Sequence, residues 1–243
     1  MNTSLQDTDT AVPHVSNWNK DLGSAWANML QSQQLDAEGT VLEIGPGFTD
    51  KIALGLATLD FRGRVILVDP SEPACRWAVA RYRQLLPRAE VLAVNDPLPD
   101  STALNGQCID TVVSNHIFDD LLLNAAVPRT TSLQIFSAMR PDLPCSSLFL
   151  DTWNDLLSEP PRLEMLIIRI VDDIVMYLHS VHPNLVVLNH YLSWHHSQWG
   201  LEGIHTYGSR IIQELHRKIG NGYIIDTDRT GTEQTGMISW LVR

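Results

Sequence analysis

Cysteine is scarce in this chain: Cys75, Cys108 and Cys145 are the only three among 243 residues. An odd number of widely spaced thiols is no disulfide framework, so a reduced, cytoplasmic protein is expected. Positive charge is short as well, with 17 Lys and Arg against 28 Asp and Glu and a net charge of −11. Phosphate backbones and anionic membranes are bound by basic faces, so the charge predicts neither a nucleic-acid nor a membrane partner. No apolar run approaches the ~18 residues of a membrane span. The polar opening, Met1 to Asp9, lacks the basic and apolar regions of a secretory leader. Internal repeats, low-complexity tracts and interdomain linkers are missing too. What is present is 44% hydrophobic residues, ample for a packed core, in a length that allows one large domain or two small ones.

The chain is organised around residues 40–50. Thr40 to Ile44 reads as a buried strand, and Gly45-Pro46-Gly47 as a tight turn. A helix follows, with Thr49 as a cap and Ile52, Leu54, Leu56 and Leu59 as its apolar positions. A strand ending in a glycine turn that opens a helix is the ligand-binding corner of doubly wound α/β folds. A dinucleotide fingerprint would carry a third glycine where Asp50 stands, and Glu43 lies two residues before Gly45. Two carboxylates at a helix N-terminus compete with a pyrophosphate and suit a cationic ligand.

This stretch resembles the first motif of the class I S-adenosylmethionine-dependent methyltransferases, in which an acid precedes Gly-x-Gly. Their cofactor carries an ammonium and a sulfonium and no phosphate, in agreement with the charge. The resemblance implies cofactor contacts from Glu43, Gly45, Pro46 and Gly47. The second strand, Arg64 to Asp69, is almost wholly apolar and ends in an acid 22 residues after Gly47. An acid there can accept from both ribose hydroxyls, with Pro70 beside it; equally, Asp69 could cap the next helix, which begins near Glu72. After a third strand, Glu90 to Val94, the family places an acid on the adenine amino group, a position matched by Asn95-Asp96. A proline-rich turn would be built from the same residues. The fourth strand, Ile109 to Asn115, runs on into His116 to Leu121. In the family such a run borders the reacting methyl, here Ser114, Asn115 and His116. The Asp/Asn-Pro-Pro-Tyr/Phe signature of DNA amino methylation, the Pro-Cys nucleophile of cytosine-carbon methylation and a paired-glutamate loop are not apparent.

Ser147 to Trp153 is read as a fifth strand, Pro161 to Ser180 as its crossover helix, Leu185 to Tyr191 as a sixth strand and Met237 to Val242 as the last. Tyr207 to Lys218 is read as a helix between those two strands. The expected fold class is therefore α/β: a doubly wound, seven-stranded, mostly parallel sheet with a C-terminal antiparallel hairpin, in three layers. Residues 1–15 are expected as a flexible tail and 16–243 as one domain. Within it, residues 16–36 form a helical cover and 193–235 an insertion between the last two strands.

The resemblance implies methyl transfer by in-line displacement, with S-adenosyl-L-methionine as cofactor. A nucleophilic N, S or O atom of a small-molecule acceptor is expected to take the methyl. The leaving thioether needs no acid, but an alcohol or ammonium acceptor needs a base. His116, Asp119 and Asp120 are the candidates; Asp119-Asp120 could instead open a helix. A second constellation, His190, Tyr191, Trp194, His195, His196 and Trp199, crowds ten residues, with His179 and His182 upstream. A metal site is weighed and set aside, because no cysteine accompanies it and His195 and His196 would face opposite sides of a strand. A substrate pocket of Tyr191, Trp194, His195 and Trp199 is expected instead, in a monomer or homodimer. Alternatives from other classes are a non-catalytic cofactor-binding subunit or regulator and a nucleotide-dependent oxidoreductase.

Overall fold

Strand residues alternate faces, and here both faces are apolar, so one sheet seeds two cores. The computed structural model describes residues 13–96, 104, 106–139, 145–220, 224–228 and 238–242. Residues 1–12 of the expected tail lie outside them. In chain order the elements are α1 (Pro13–Ser32), β1 (Thr40–Ile44), α2 (Lys51–Thr58), β2 (Arg64–Val68), α3 (Glu72–Leu85), β3 (Glu90–Val94) and β4 (Thr111–Asn115). There follow α4 (Phe118–Ala126), α5 (Arg129–Ala138), α6 (Ser147–Ser158), α7 (Pro160–Val181), β5 (Leu185–His190), α8 (Trp194–Gln198), α9 (Gly203–Ile219), β6 (Ile224–Asp228) and β7 (Ile238–Val242).

Val41, Val65, Leu67, Val113 and Val187 pack with Trp26 and Leu30 of α1, Ile52 and Leu56 of α2 and Tyr82 of α3. From the other face Leu42, Ile66, Val112, Val186 and Leu188 pack with Phe118 of α4, Trp153 of α6, Ile167 of α7 and Leu215 of α9. The strand order is β3-β2-β1-β4-β5-β7-β6. The first five strands are parallel; β7 lies antiparallel to β5, and β6 antiparallel to β7. β1 is flanked by β2 on one side and β4 on the other, so the chain reverses its direction of winding there. Ligands bind at such a switch point, outside the carboxyl ends of the strands.

The sheet has seven strands, but one is not where the sequence reading put it. Ser147 to Trp153 begins a helix, α6. Ser146 caps it by accepting from the Phe149 amide at 3.2 Å, and Phe149, Trp153 and Leu156 are buried on one side. A short apolar run fits either period; the buried positions here recur at helical spacing. The missing strand is β6, inside the span taken as an insertion. The leading helix also starts earlier than expected, at Pro13, within the supposed tail. Among the described residues no helix is long and apolar enough to cross a membrane.

Candidate functional site

At the end of β1 the chain turns through Gly45 and Gly47, both at positive φ, 64° and 56°. A Cβ on Gly45 would meet Ile117 at 2.6 Å, whereas one on Gly47 would meet nothing within 4 Å. Gly45 is thus demanded by packing, and Gly47 faces open space. Asp69, just past β2, clamps the turn: its carboxylate accepts from the Gly47 amide at 3.0 Å and the Ser71 amide at 2.7 Å. Burial raises the Asp69 carboxyl above its usual range, against the pull of those two amides. Asn95 donates to the Asp69 carbonyl at 2.9 Å, and Asp96 lies 3.4 Å from Arg129. Pro46 is buried and Pro70 half-buried beside them.

Two carboxylates behave differently from the sequence reading. Glu43 points into the core under α1–α3, where the Tyr82 hydroxyl donates to it. Burial pushes its carboxyl up to about 8, with Asp69 adding to the rise and Tyr82 opposing it. Asp50 is paired with Arg81 at 2.8 Å. Contrary to expectation, neither acid awaits a cationic ligand: Glu43 is sequestered and Asp50 neutralised. Asp69 is the acid at the turn itself.

A second cluster forms at the ends of β4 and β5. Ser114 Oγ donates to the Ile44 carbonyl at 2.9 Å. Asn115 Oδ1 accepts from Trp26 Nε1 at 3.1 Å and Asn189 Nδ2 at 3.3 Å, while its Nδ2 donates to the Tyr191 hydroxyl at 3.2 Å. Lys51, at the start of α2, donates to the same hydroxyl at 2.9 Å. Tyr191 is buried, yet Lys51 and His116 lower its phenol pKa against that burial. His116 follows β4 at a φ of 58°; this left-handed residue breaks the strand and lets α4 begin at Phe118. Its backbone amide is held by Asn189 Oδ1 at 3.0 Å. Its Nε2 is 2.6 Å from the Tyr191 carbonyl, and its Nδ1 is 3.3 Å from Asp119 Oδ1. The other oxygen of Asp119 is 3.3 Å from His196 Nε2. Burial disfavours charge on His116, but Asp119 outweighs it and pushes the imidazole up to about 9. Asp119 is correspondingly held low. Asp120, half-buried beside it, is raised by desolvation and by the Asp119 charge. Both acids stand in the first turn of α4, the alternative the sequence allowed.

Of the expected catalytic and cofactor residues, the structure gathers Glu43, Gly45, Pro46, Gly47, Asp69, Pro70, Asn95, Asp96, Ser114, Asn115, His116, Asp119 and Asp120 around the ends of β1–β4. It does not gather the expected substrate pocket. Tyr191 packs into the core under α1–α3, whereas Trp199 packs against the opposite core, edge-on to Phe149 at 5.6 Å. His195 is exposed and close to Trp199; the Trp194 side chain lies outside the described ones. His195 and His196 are on helix α8 rather than a strand, so the geometric ground for setting a metal aside falls. His179 and His182 are exposed at the end of α7, by the opposite end of β5. Lys51, Tyr82 and Asn189 escape the sequence reading as site residues, and His190 and His196, weighed there as metal ligands, were left out of its chosen pocket. One signal was available: Asn189 and His190 close a strand that is otherwise wholly apolar and buried. A cavity of about 370 Å³ opens nearby, lined by Ser114 and Ile117, apolar residues of α4 and α7, and the polar side chains of Asn124, Arg129 and Asp173.

No known family profile matches the sequence, and no curated protein matches it either. Solved structures do. A METTL16 MTase domain superposes with a TM-score of 0.52 at 13% identity, over 91% of this chain and 80% of the other. A Clostridium thermocellum protein named as an rRNA methylase gives 0.51 at 11% identity, over 91% and 96%. A human methyltransferase 10 domain containing protein gives 0.50 at 12%, over 91% and 81%. The chain has the Rossmann-like fold of the class I S-adenosylmethionine-dependent methyltransferases. One expectation is overturned by the same comparison. The acidic charge was read as excluding nucleic acid and leaving a small-molecule acceptor, but a protein named for an RNA substrate shares this fold. Net charge describes the whole surface and does not decide what one face accepts.

Proposed function

We propose that the chain binds S-adenosylmethionine at the carboxyl ends of β1, β2 and β4 and transfers its methyl group. The observation that carries this is the Gly45–Gly47 turn, clamped by Asp69 where the strand order reverses. The residues fit the cofactor on two points. Gly47 leaves its Cβ position open, so a ligand can lie against the backbone. An ionised carboxylate has about four lone-pair sites, so Asp69 can accept from ribose hydroxyls while it keeps its two amides. Asp96 and Asn95, at the end of β3, would hold the adenine edge. Ser114, Asn115 and His116 border the reacting end. When bound, the cofactor supplies an electrophilic methyl on a sulfonium that departs as a neutral thioether. What remains for the protein is alignment, with the acceptor held roughly 3–3.5 Å from the methyl.

Calorimetric titration with S-adenosylmethionine and S-adenosylhomocysteine tests the reading. Micromolar binding by the wild type and its loss in Asp69→Ala are the expected results. A folded wild type that binds neither ligand overturns it. Turnover is then sought on an acceptor panel that includes structured RNA, and binding without transfer across that panel would favour the regulator alternative.

A further inference from the structure

Around Asp119 the structure gathers four histidines, His190 and His196 buried and His116 and His205 half-buried, in a lattice that hydrogen bonds alone leave incomplete. His116, His190 and His205 stack in sequence, with ring centroids 4.7 and 4.9 Å apart. His190 is wholly buried. Among the described residues, the buried atoms without a hydrogen-bond partner include Asp119 Oδ1 and the Nδ1 atoms of His190, His196 and His205. Buried polar groups of this kind are rarely left unpaired, and an ion or a water is the usual reason.

The chemistry of the partners narrows the choice. His116 Nε2 faces the Tyr191 carbonyl and His190 Nε2 faces the His205 carbonyl at 3.2 Å. A carbonyl only accepts, so both Nε2 atoms carry the hydrogen. A neutral ring then has a lone pair at Nδ1. In a neutral His116 that lone pair would face a carboxylate oxygen, two acceptors at 3.3 Å. For His190 it faces no donor. A proton on His116 would relieve the first conflict and leave the second. A metal cation relieves both.

We infer that His116 Nδ1, Asp119 Oδ1 and His190 Nδ1 form a binding site for a divalent transition-metal ion. One ligand atom from each of the three residues already lies within 4.8 Å of the others. With bonds of about 2.0–2.2 Å, tetrahedral ligands stand roughly 3.3 Å apart, the separation His116 and Asp119 already show. Metal-bound histidines ordinarily give their second N–H to a carbonyl or carboxylate, as both do here. His196 Nε2 on Asp119 Oδ2 turns the other oxygen toward the two imidazoles. Gly208 of α9 completes the fit, because a Cβ there would collide with the His190 ring. Two imidazoles and a carboxylate, with no thiolate, suit Zn²⁺, Co²⁺, Mn²⁺ or Fe²⁺ rather than Ca²⁺ or Cu⁺. The site stands whether or not the glycine corner holds S-adenosylmethionine.

Titration of chelator-treated, full-length protein with Co²⁺ tests it, followed by absorption spectroscopy and by mass-spectrometric metal analysis. About one Co²⁺ per chain, visible ligand-field bands and displacement by Zn²⁺ are expected. His190→Gln and Asp119→Asn should each weaken Co²⁺ binding by about 10- to 100-fold or more. His116→Gln is the third variant, in case either of these fails to fold. Folded wild type that takes up no Co²⁺, Zn²⁺, Mn²⁺ or Fe²⁺ overturns the inference, as does uptake unchanged in folded variants. Parallel titration with S-adenosylhomocysteine reads the glycine corner separately, so failure of one site is not mistaken for failure of the other.

Discussion

At the glycine corner the polar groups find their partners within the chain. Gly47 and Ser71 bond Asp69, Tyr82 bonds Glu43, and Arg81 meets Asp50. At the ends of β4 and β5, one and two strand widths away, a carboxylate oxygen and several imidazole nitrogens have none among the described residues. The first region is finished as a scaffold and leaves its open space at Gly47. The second concentrates unsatisfied donor atoms around one carboxylate. A scaffold can be judged by how little it changes on binding; an unsatisfied cluster should change a great deal when its missing partner arrives.

The comparison breaks most sharply at Asp119. In metal-free protein Asp119→Ala strips the half-buried His116 of its counter-charge and should cost about 3–5 kcal/mol in urea unfolding at neutral pH. A loss under about 1 kcal/mol would mean that water already serves the cluster. Glu43 tests the other region. Its carboxyl is raised in the folded state, so its contribution is fully present below pH 4.5 and is lost as pH climbs toward about 8. Each pH unit in that window costs up to about 1.4 kcal/mol. Glu43→Gln should flatten that slope, gaining on the wild type in thermal unfolding at pH 8 and not at pH 4. Parallel slopes would show that Glu43 ionises freely.

A smaller effect is expected at Gly208. Alanine there overpacks the His190 ring at a cost of about 1–3 kcal/mol, partly offset by the ~1 kcal/mol helix preference of alanine over glycine. A net loss near 1 kcal/mol, with a changed His190 resonance, is the expected result; a net gain in stability would place the ring elsewhere. Least of all should depend on Arg81→Ala. Its ion pair with Asp50 is about a third exposed on the arginine side, and such pairs contribute about 1 kcal/mol or less. A larger loss in urea unfolding would make Asp50 an essential part of the turn.

The glycine corner was legible because it is contiguous. Strand, turn and following helix occupy residues 40–58, and the acids after β2 and β3 announce themselves at the ends of apolar runs. The direction in which Glu43 points was not legible, since that depends on Tyr82 from α3. Nor was α6, because Ser-Leu-Phe-Leu fits a buried strand as well as a helix until its neighbours decide. The histidine cluster was half legible. The crowding of histidines showed in the sequence, but weighing His195 and His196 as strand residues put them on opposite faces. A strand that stops at His190 and a helix that starts at residue 194 bring His196 back onto Asp119.

The hydrogen bond from Trp26 to Asn115 spans 89 residues, and that from Lys51 to Tyr191 spans 140. During synthesis, a chain emerging only as far as α4 holds the whole glycine corner and Asp119, but neither Tyr191 nor His190. The imidazole stack and the Lys51–Tyr191 bond must wait for β5 and α9, which arrive late and from far away in the chain. Non-local closures of this kind are slow. The two halves of the site are thus born at different times, and a truncated or stalled chain would carry the cradle without the cluster.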